Sequence, residues 1–200
     1  DHYQLHRPDP DTPAAETLGC LSELRAEGKI REIGCTHFSE AELLDSQAAA
    51  TSQGLAMYPS VQNYYSLLTR DPETDGVFDV CEELGIGFVP YFPLESGLLT
   101  GKYRLGQERP EGARLTNWGE RADSFIDDDK LVIVEELVQW AEARDHSLLD
   151  LALSWHTSHP LVTSVIAGAT KPEQIEANVA ASTWALTTQD RAEVDALTAG

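Results

Sequence analysis

Short apolar runs alternate with longer segments whose apolar residues recur at helical spacing, and this alternation predicts βα units built on a parallel sheet. Residues 3–5 read as a strand, and Pro13 opens a helix with Leu18, Leu21 and Leu24 on one face, closed by Gly28. Residues 30–35 form the next strand. Ser39 then caps a helix through Ala41, Leu43 and Leu44, with Glu42 completing a capping box. Residues 58–62 are a third strand, a helix around Val77–Leu84 stops at Gly85, and residues 86–90 are a fourth strand. A long polar stretch over 103–129 contains Gly106, Pro110, Gly112 and a solitary Trp118; such loops are commonly functional or disordered. Residues 130–143 and Leu148–Thr157 have helical apolar faces, and 162–166 reads as the last strand. Pro172–Ala181 is the last main helix, and Thr188 caps a short helix ending at Leu197. With no composition break, the reading is a single domain over 1–200.

Charge narrows the partners. Asp and Glu number 34 against 14 Lys and Arg, giving a net charge of −20 and a pI near 4.4. Such a surface repels nucleic acid and anionic lipid, so neither is expected as a partner. The acids are spread along the chain rather than gathered in a tail, and lysine occurs only at 29, 102, 130 and 171. Scattered carboxylates with scarce lysine fit adaptation to high salt, where screening relieves self-repulsion; an ordinary acidic protein would read the same way. Cys20, Cys35 and Cys81 lack metal-site spacing and pairing, which fits a reducing cytoplasm. His2, His146, His156 and His159 show no ligand spacing and read as surface or helix-end residues, so no metal is expected. No apolar run reaches the roughly 18 residues of a membrane helix.

The most informative chemistry lies between Val89 and Lys102. A strand ends in Pro90, an aromatic ring follows at Tyr91, and then comes a loop with Ser96, Gly97, Thr100, Gly101 and Lys102. A stacking ring, a glycine-bearing loop and one cation suit a flat heterocycle carrying a pyrophosphate. A proline-rich βα loop around a buried Tyr would present the same residues.

This segment, GFVPYFPLESGLLTGKY from Gly87, resembles the aldo-keto reductases, and four further segments resemble them in the same order. These are Tyr3-Gln4-Leu5-His6-Arg7-Pro8-Asp9, GKIREIGCTHFS from Gly28, VQNYYSLL from Val61, and VIAGATKPEQIEAN from Val165. The resemblance implies an α/β (β/α)8 TIM barrel, present here as a partial barrel from about the fourth strand. Because such barrels take about 250 residues, the chain is expected to be the C-terminal part of a longer protein. It also implies NADPH (NADP)-dependent reduction of a small-molecule carbonyl substrate. His6 matches the family's active-site His, which hydrogen-bonds the carbonyl oxygen. The family's Asp, acid Tyr and Lys would lie before Asp1, so the chain alone is expected to be inactive.

For the cofactor, the resemblance assigns Thr36, His37 and Gln62 to the nicotinamide carboxamide and Tyr91 to stacking on its ring. It assigns Leu94, Ser96 and Gly97 to the pyrophosphate, Lys102 and Arg114 to phosphate, and Gly168, Thr170, Lys171, Gln174 and Asn178 to the adenosine end. That last group opens a helix, where N–H groups and the helix dipole favour anions; Thr170 as a simple N-cap would explain it without a ligand. His37 stands where the family has Asn, Phe92 where Ser is commoner, and Ala177 where Glu often contacts adenine. Since the fold also serves as a channel-associated β subunit, a nucleotide-sensing regulatory role is the alternative, as is an inactive truncated product.

Overall fold

Four strands, β1 (His2–Leu5), β2 (Glu32–Thr36), β3 (Ser60–Tyr64) and β4 (Gly87–Tyr91), pair in sequence order into one parallel sheet. The computed structural model describes residues 1–198, without the side chains of Arg121, Asp123 and Ser124. The chain divides into two units, and the sheet belongs to the first, which comprises residues 1–64, 70–91 and 161–164. Three helices alternate with its strands: α1 (Ala14–Ala26), α2 (Glu40–Gln53) and α3 (Val77–Leu84). This is the α/β alternation read from the sequence.

The register pairs Leu5 with Cys35, Thr36 with Gln62 and Tyr64 with Tyr91, so the strands' C-terminal ends lie side by side. Ile33, Cys35, Val61 and Phe88 are buried from the sheet, against Leu18 and Leu21 of α1, Leu43 and Ala50 of α2, and Val77 and Phe78 of α3. A side chain at Gly34 would strike Ser60 Oγ at 2.8 Å, and His2 closer still, so this crossing requires glycine. The expected capping box at α2 is present: Ser39 N–H donates to Glu42 Oε2 at 2.8 Å and Glu42 N–H to Ser39 Oγ at 3.4 Å.

Several boundaries differ from the sequence reading, for physical reasons. Pairing starts at Ser60 rather than 58 because Tyr58 packs edge-on against Phe38 instead of entering the ladder. Leu44 is exposed, since Leu43, Ser46 and Ala50 form the inward row of α2. The strand expected over 162–166 is not continuous: Val162 makes an isolated parallel bridge with Phe88, and Ile166 is a separate bridge residue. Phe88 N–H donates to the Leu161 carbonyl at 2.8 Å and Thr163 N–H to the Phe88 carbonyl at 3.0 Å.

The second unit comprises residues 65–69, 92–160 and those from 165 onward. It holds α4 (Arg114–Asn117), α5 (Asp128–Glu142), α6 (Leu148–Thr157), α7 (Pro172–Ala181) and α8 (Thr188–Thr198). Leu131, Val134, Leu137, Val138 and Ala141 form the buried stripe of α5, and fully buried Trp155 centres α6. α5 begins two residues before its apolar pattern because Asp127 caps it, accepting from Lys130 N–H at 2.7 Å. Likewise α8 is capped by Thr187, one residue before the Thr188 expected: Asp190 N–H donates to Thr187 Oγ1 at 3.1 Å. The stretch over 103–129 is not a bare loop, since α4 and a 3-10 turn at Gly119–Ser124 occupy it and Trp118 packs on Phe125.

Candidate functional site

The first unit gathers polar side chains at the C-terminal ends of its strands, the end where parallel α/β folds carry their chemistry. Thr36, the last residue of β2, is buried. His37 follows with φ +62°, a left-handed conformation that Asn adopts more readily than His. Its backbone N–H donates to the Gln62 carbonyl at 3.1 Å. Gln62 Nε2 donates to Gln4 Oε1, which fixes the orientation of the amide. Tyr91, at the end of β4, stacks on Tyr64 with ring centroids 5.5 Å apart and planes 25° from parallel.

The Tyr91 hydroxyl and His37 Nδ1 are 3.2 Å apart, within donating distance. His6 lies edge-on to His37 at 5.9 Å, so His6, His37 and Tyr91 form one string of rings. Burial, then the neighbouring Arg7 and His6, holds the His37 pKa below its ordinary value, which favours a neutral imidazole beside the Tyr91 hydroxyl. Burial raises the Tyr91 phenol, which keeps its proton. Beside Gln62, Asn63 Nδ2 donates to the Phe38 carbonyl at 2.8 Å while Asn63 Oδ1 is buried without a partner. The sequence reading missed Asn63, although its place next to Gln62 at a strand end was a usable signal.

The second unit carries the expected phosphate residues. The chain at Phe92, Glu95, Ser96 and Gly97 has φ values of 54°, 47°, 55° and 102°, a tight left-handed curl. Gly97 N–H donates to the Leu94 carbonyl at 2.7 Å, so it is not a free donor, and the room left by its missing Cβ is taken by the Lys102 side chain. A Cβ there would come within 3.0 Å of Lys102 Nζ. Ser96 Oγ is buried with no hydrogen-bond partner, an orphaned polar atom in the stretch read as phosphate-binding. Burial, and then Arg114, depresses the Lys102 ammonium. Arg114 in turn would lie 3.6 Å from a Cβ on Gly168. The structure therefore sets Lys102 over Gly97 and Arg114 beside Gly168, with the two cations within electrostatic range of each other.

Thr170, Lys171 and Gln174 lie exposed at the head of α7, and Asn178 is half-buried one turn on. Thr170 is not the N-cap. Lys171 holds that position, and Gln174 Oε1 accepts from the N–H groups of Thr170 at 2.7 Å and Lys171 at 3.2 Å. The long amide reaches back where the short Thr side chain does not.

His156 also departs from expectation. It is fully buried rather than at the surface, because it continues the inward row of α6 through Leu148 and Ala152. Tyr65, fully buried as well, packs on Trp155 and His156. Among the described residues no cluster of His, Cys, Asp and Glu is arranged to hold a metal ion, and no helix is long and apolar enough to cross a membrane.

The model of the aldo/keto reductase family matches residues 1–199. A putative voltage-gated potassium channel subunit beta of Schizosaccharomyces pombe is 34% identical over 185 residues, covering 90% of this chain and 53% of its own. An L-glyceraldehyde 3-phosphate reductase of Escherichia coli O157:H7 is 30% identical over 200 residues, covering 98% of this chain and 57% of its own. A human aflatoxin B1 aldehyde reductase member 2 is 32% identical over 196 residues, covering 91% and 54%. The chain spans about half the length of these relatives.

Proposed function

Since the chain belongs to the aldo/keto reductase family, we propose that it carries the cofactor residues of an NADP(H)-dependent oxidoreductase reducing small aldehydes and ketones to alcohols. The observation that carries this reading is the Lys102–Arg114 pair. In a protein of net charge −20, two cations sit close enough for one to depress the other, and among the described residues neither has an ion-pair partner. Like charges gathered without a counter-ion are costly, and a bound phosphate relieves that cost. The orphaned Ser96 hydroxyl beside them suits a phosphate oxygen.

In the first unit, Thr36, Gln62 and His37 offer the donors and acceptors a carboxamide needs. Tyr91 would stack on the nicotinamide ring. When bound, the reduced nicotinamide supplies the hydride. His6 would hydrogen-bond the carbonyl oxygen and turn the carbonyl carbon toward that donor. Gly168, Thr170, Lys171, Gln174 and Asn178 would hold the adenosine end, with Leu94 lining the diphosphate. The free cysteines suit a reducing cytoplasm.

The similarity to a channel β subunit favours a second reading, a nucleotide-sensing regulatory subunit using the same residues. Titration of NADPH against the full-length protein, with Tyr91→Ala and Lys102→Ala/Arg114→Ala variants, separates these. The oxidoreductase reading expects a rise in Kd of about tenfold or more in the double variant. It also expects carbonyl-dependent NADPH oxidation by the wild type. Binding without turnover on any aldehyde or ketone would favour the regulatory reading, and equal affinity in all three proteins would overturn both.

A further inference from the structure

Glu95 is the one acidic residue in the buried interior among the described residues, 3% exposed, and it takes φ +47°. Its carboxylate is held by the turn at residues 66–69. Glu95 Oε1 accepts from two hydroxyls, Ser66 Oγ and Thr69 Oγ1, the latter at 2.7 Å. Those hydroxyls are themselves fixed. Ser66 and Thr69 close a tight turn through reciprocal backbone bonds of 2.9 and 3.3 Å. Ser66 Oγ also accepts from the N–H groups of Leu68 and Thr69, both at 3.1 Å. With its acceptor capacity taken by the turn, the Ser66 proton is directed at Glu95. Charge-assisted bonds of this kind are about twice as strong as neutral ones.

The residue held this way is followed at once by Ser96 and Gly97, both left-handed, and Ser96 Oγ is buried without a partner. Non-glycine residues keep such conformations only where the surroundings over-determine them. Bonds within the curl include Glu95 N–H to the Phe92 carbonyl at 3.0 Å and Thr100 Oγ1 to the Gly97 carbonyl at 2.7 Å. The Glu95 carboxylate is a side-chain anchor that reaches outside the curl, to Ser66 and Thr69.

We infer that Glu95 is a positioning residue: clamped by the Ser66 and Thr69 hydroxyls, it holds the 92–97 curl so that the Ser96 hydroxyl stands ready for a diphosphate. This rests on the nucleotide reading above. Glu95 does not touch the ligand. It acts through the backbone of Ser96, so its removal loosens the site without deleting any contact.

The test uses full-length protein and two probes, NADPH and 2′-phospho-ADP-ribose, which lacks the nicotinamide. Glu95→Ala is expected to raise Kd for both probes by the same factor, about tenfold or more. In turnover the loss falls in KM for NADPH and not in kcat, and Glu95→Gln, whose amide oxygen still accepts both hydroxyls, restores most of the affinity. A lower melting temperature with both Kd values within roughly twofold of wild type would make Glu95 merely structural and overturn the inference. A loss confined to NADPH would overturn it too, since the diphosphate is common to both probes. Should Glu95→Ala not fold, Thr69→Val removes one donor, and unchanged Kd values there would be equally fatal. If the wild type binds neither probe, the nucleotide reading fails and this inference with it.

Discussion

Replacing His156 with Leu should remove an acid sensitivity built into the second unit. Both ring nitrogens of His156 are buried without a hydrogen-bond partner, and the ring is fully shielded. The aromatic rings of Tyr65 and Trp155 pack edge-on against it at 5.4 and 5.1 Å. Burial pushes its pKa down to about 3, helped by the charges of Arg191 and His159. The Pro93 carbonyl lies outside hydrogen-bond geometry but favours the protonated form, opposing part of the effect of burial more strongly than either charge adds to it. Below the ordinary value of 6.5 the unfolded chain binds a proton that the folded chain refuses, so stability is full above that pH and falls as pH drops toward 3. The slope is about 1.4 kcal/mol per pH unit, or roughly 2.7 kcal/mol by about pH 4.5. For a protein of this size that corresponds to roughly 5–11 °C in melting temperature. At pH 7, Leu should be tolerated or mildly stabilising, because it replaces two unsatisfied nitrogens with apolar contact. Other groups also titrate: the Arg104 hydrogen bond holds Glu135 low, and Thr187 holds Asp190 low. Those contributions are common to both proteins and cancel in the comparison. Chemical denaturation of wild type and His156→Leu across pH 7 to about 4.5 gives the answer. Parallel stability curves would refute the argument, and so would a steeper fall in the variant.

Two further outcomes are expected. Lys171→Ala should lower the preference for NADPH over NADH, read as the ratio of kcat/KM values, by about tenfold, because Lys171 is exposed at the head of α7 with no ion pair among the described residues; an unchanged ratio removes it as the 2′-phosphate partner. Rising KCl should raise the melting temperature, since counterions screen a net charge of −20, and a flat or falling trend would make salt adaptation the wrong reading of the acidity.

What the sequence revealed, and what it hid, divides by the range of the interaction responsible. The bounds of α3, α6 and α7 and the capping box of α2 agree with the reading, because periodicity, Gly85, Pro172 and the Ser39–Glu42 spacing act within a few residues. The fifth strand failed at the next range: an apolar β-branched run over 162–166 forms a ladder only where a neighbour supplies the pairing, and Phe88 supplies one bridge. His156 lay between these cases. Four residues after Ala152 and eight after Leu148, it falls on the apolar face of α6, so helical spacing alone contained the signal that its polar side chain obscured.

The candidate site shows the same division more sharply. Tyr91, Gln62 and the Lys102 loop were legible because each sits at a strand end or in a glycine-bearing turn, features the local sequence displays. Glu95 was not, because nothing near it says that its partners are Ser66 and Thr69, 29 and 26 positions earlier. The pairing of Lys102 with Arg114 was likewise invisible: composition shows that cations are scarce, and only the fold shows that two of them share one place. In a chain this acidic, carboxylates for ion pairs are plentiful, and Arg25, Arg104 and Arg144 all have one. Leaving Lys102 and Arg114 without one is therefore the more informative choice. On the proposed reading, the bound phosphate supplies the missing negative charge.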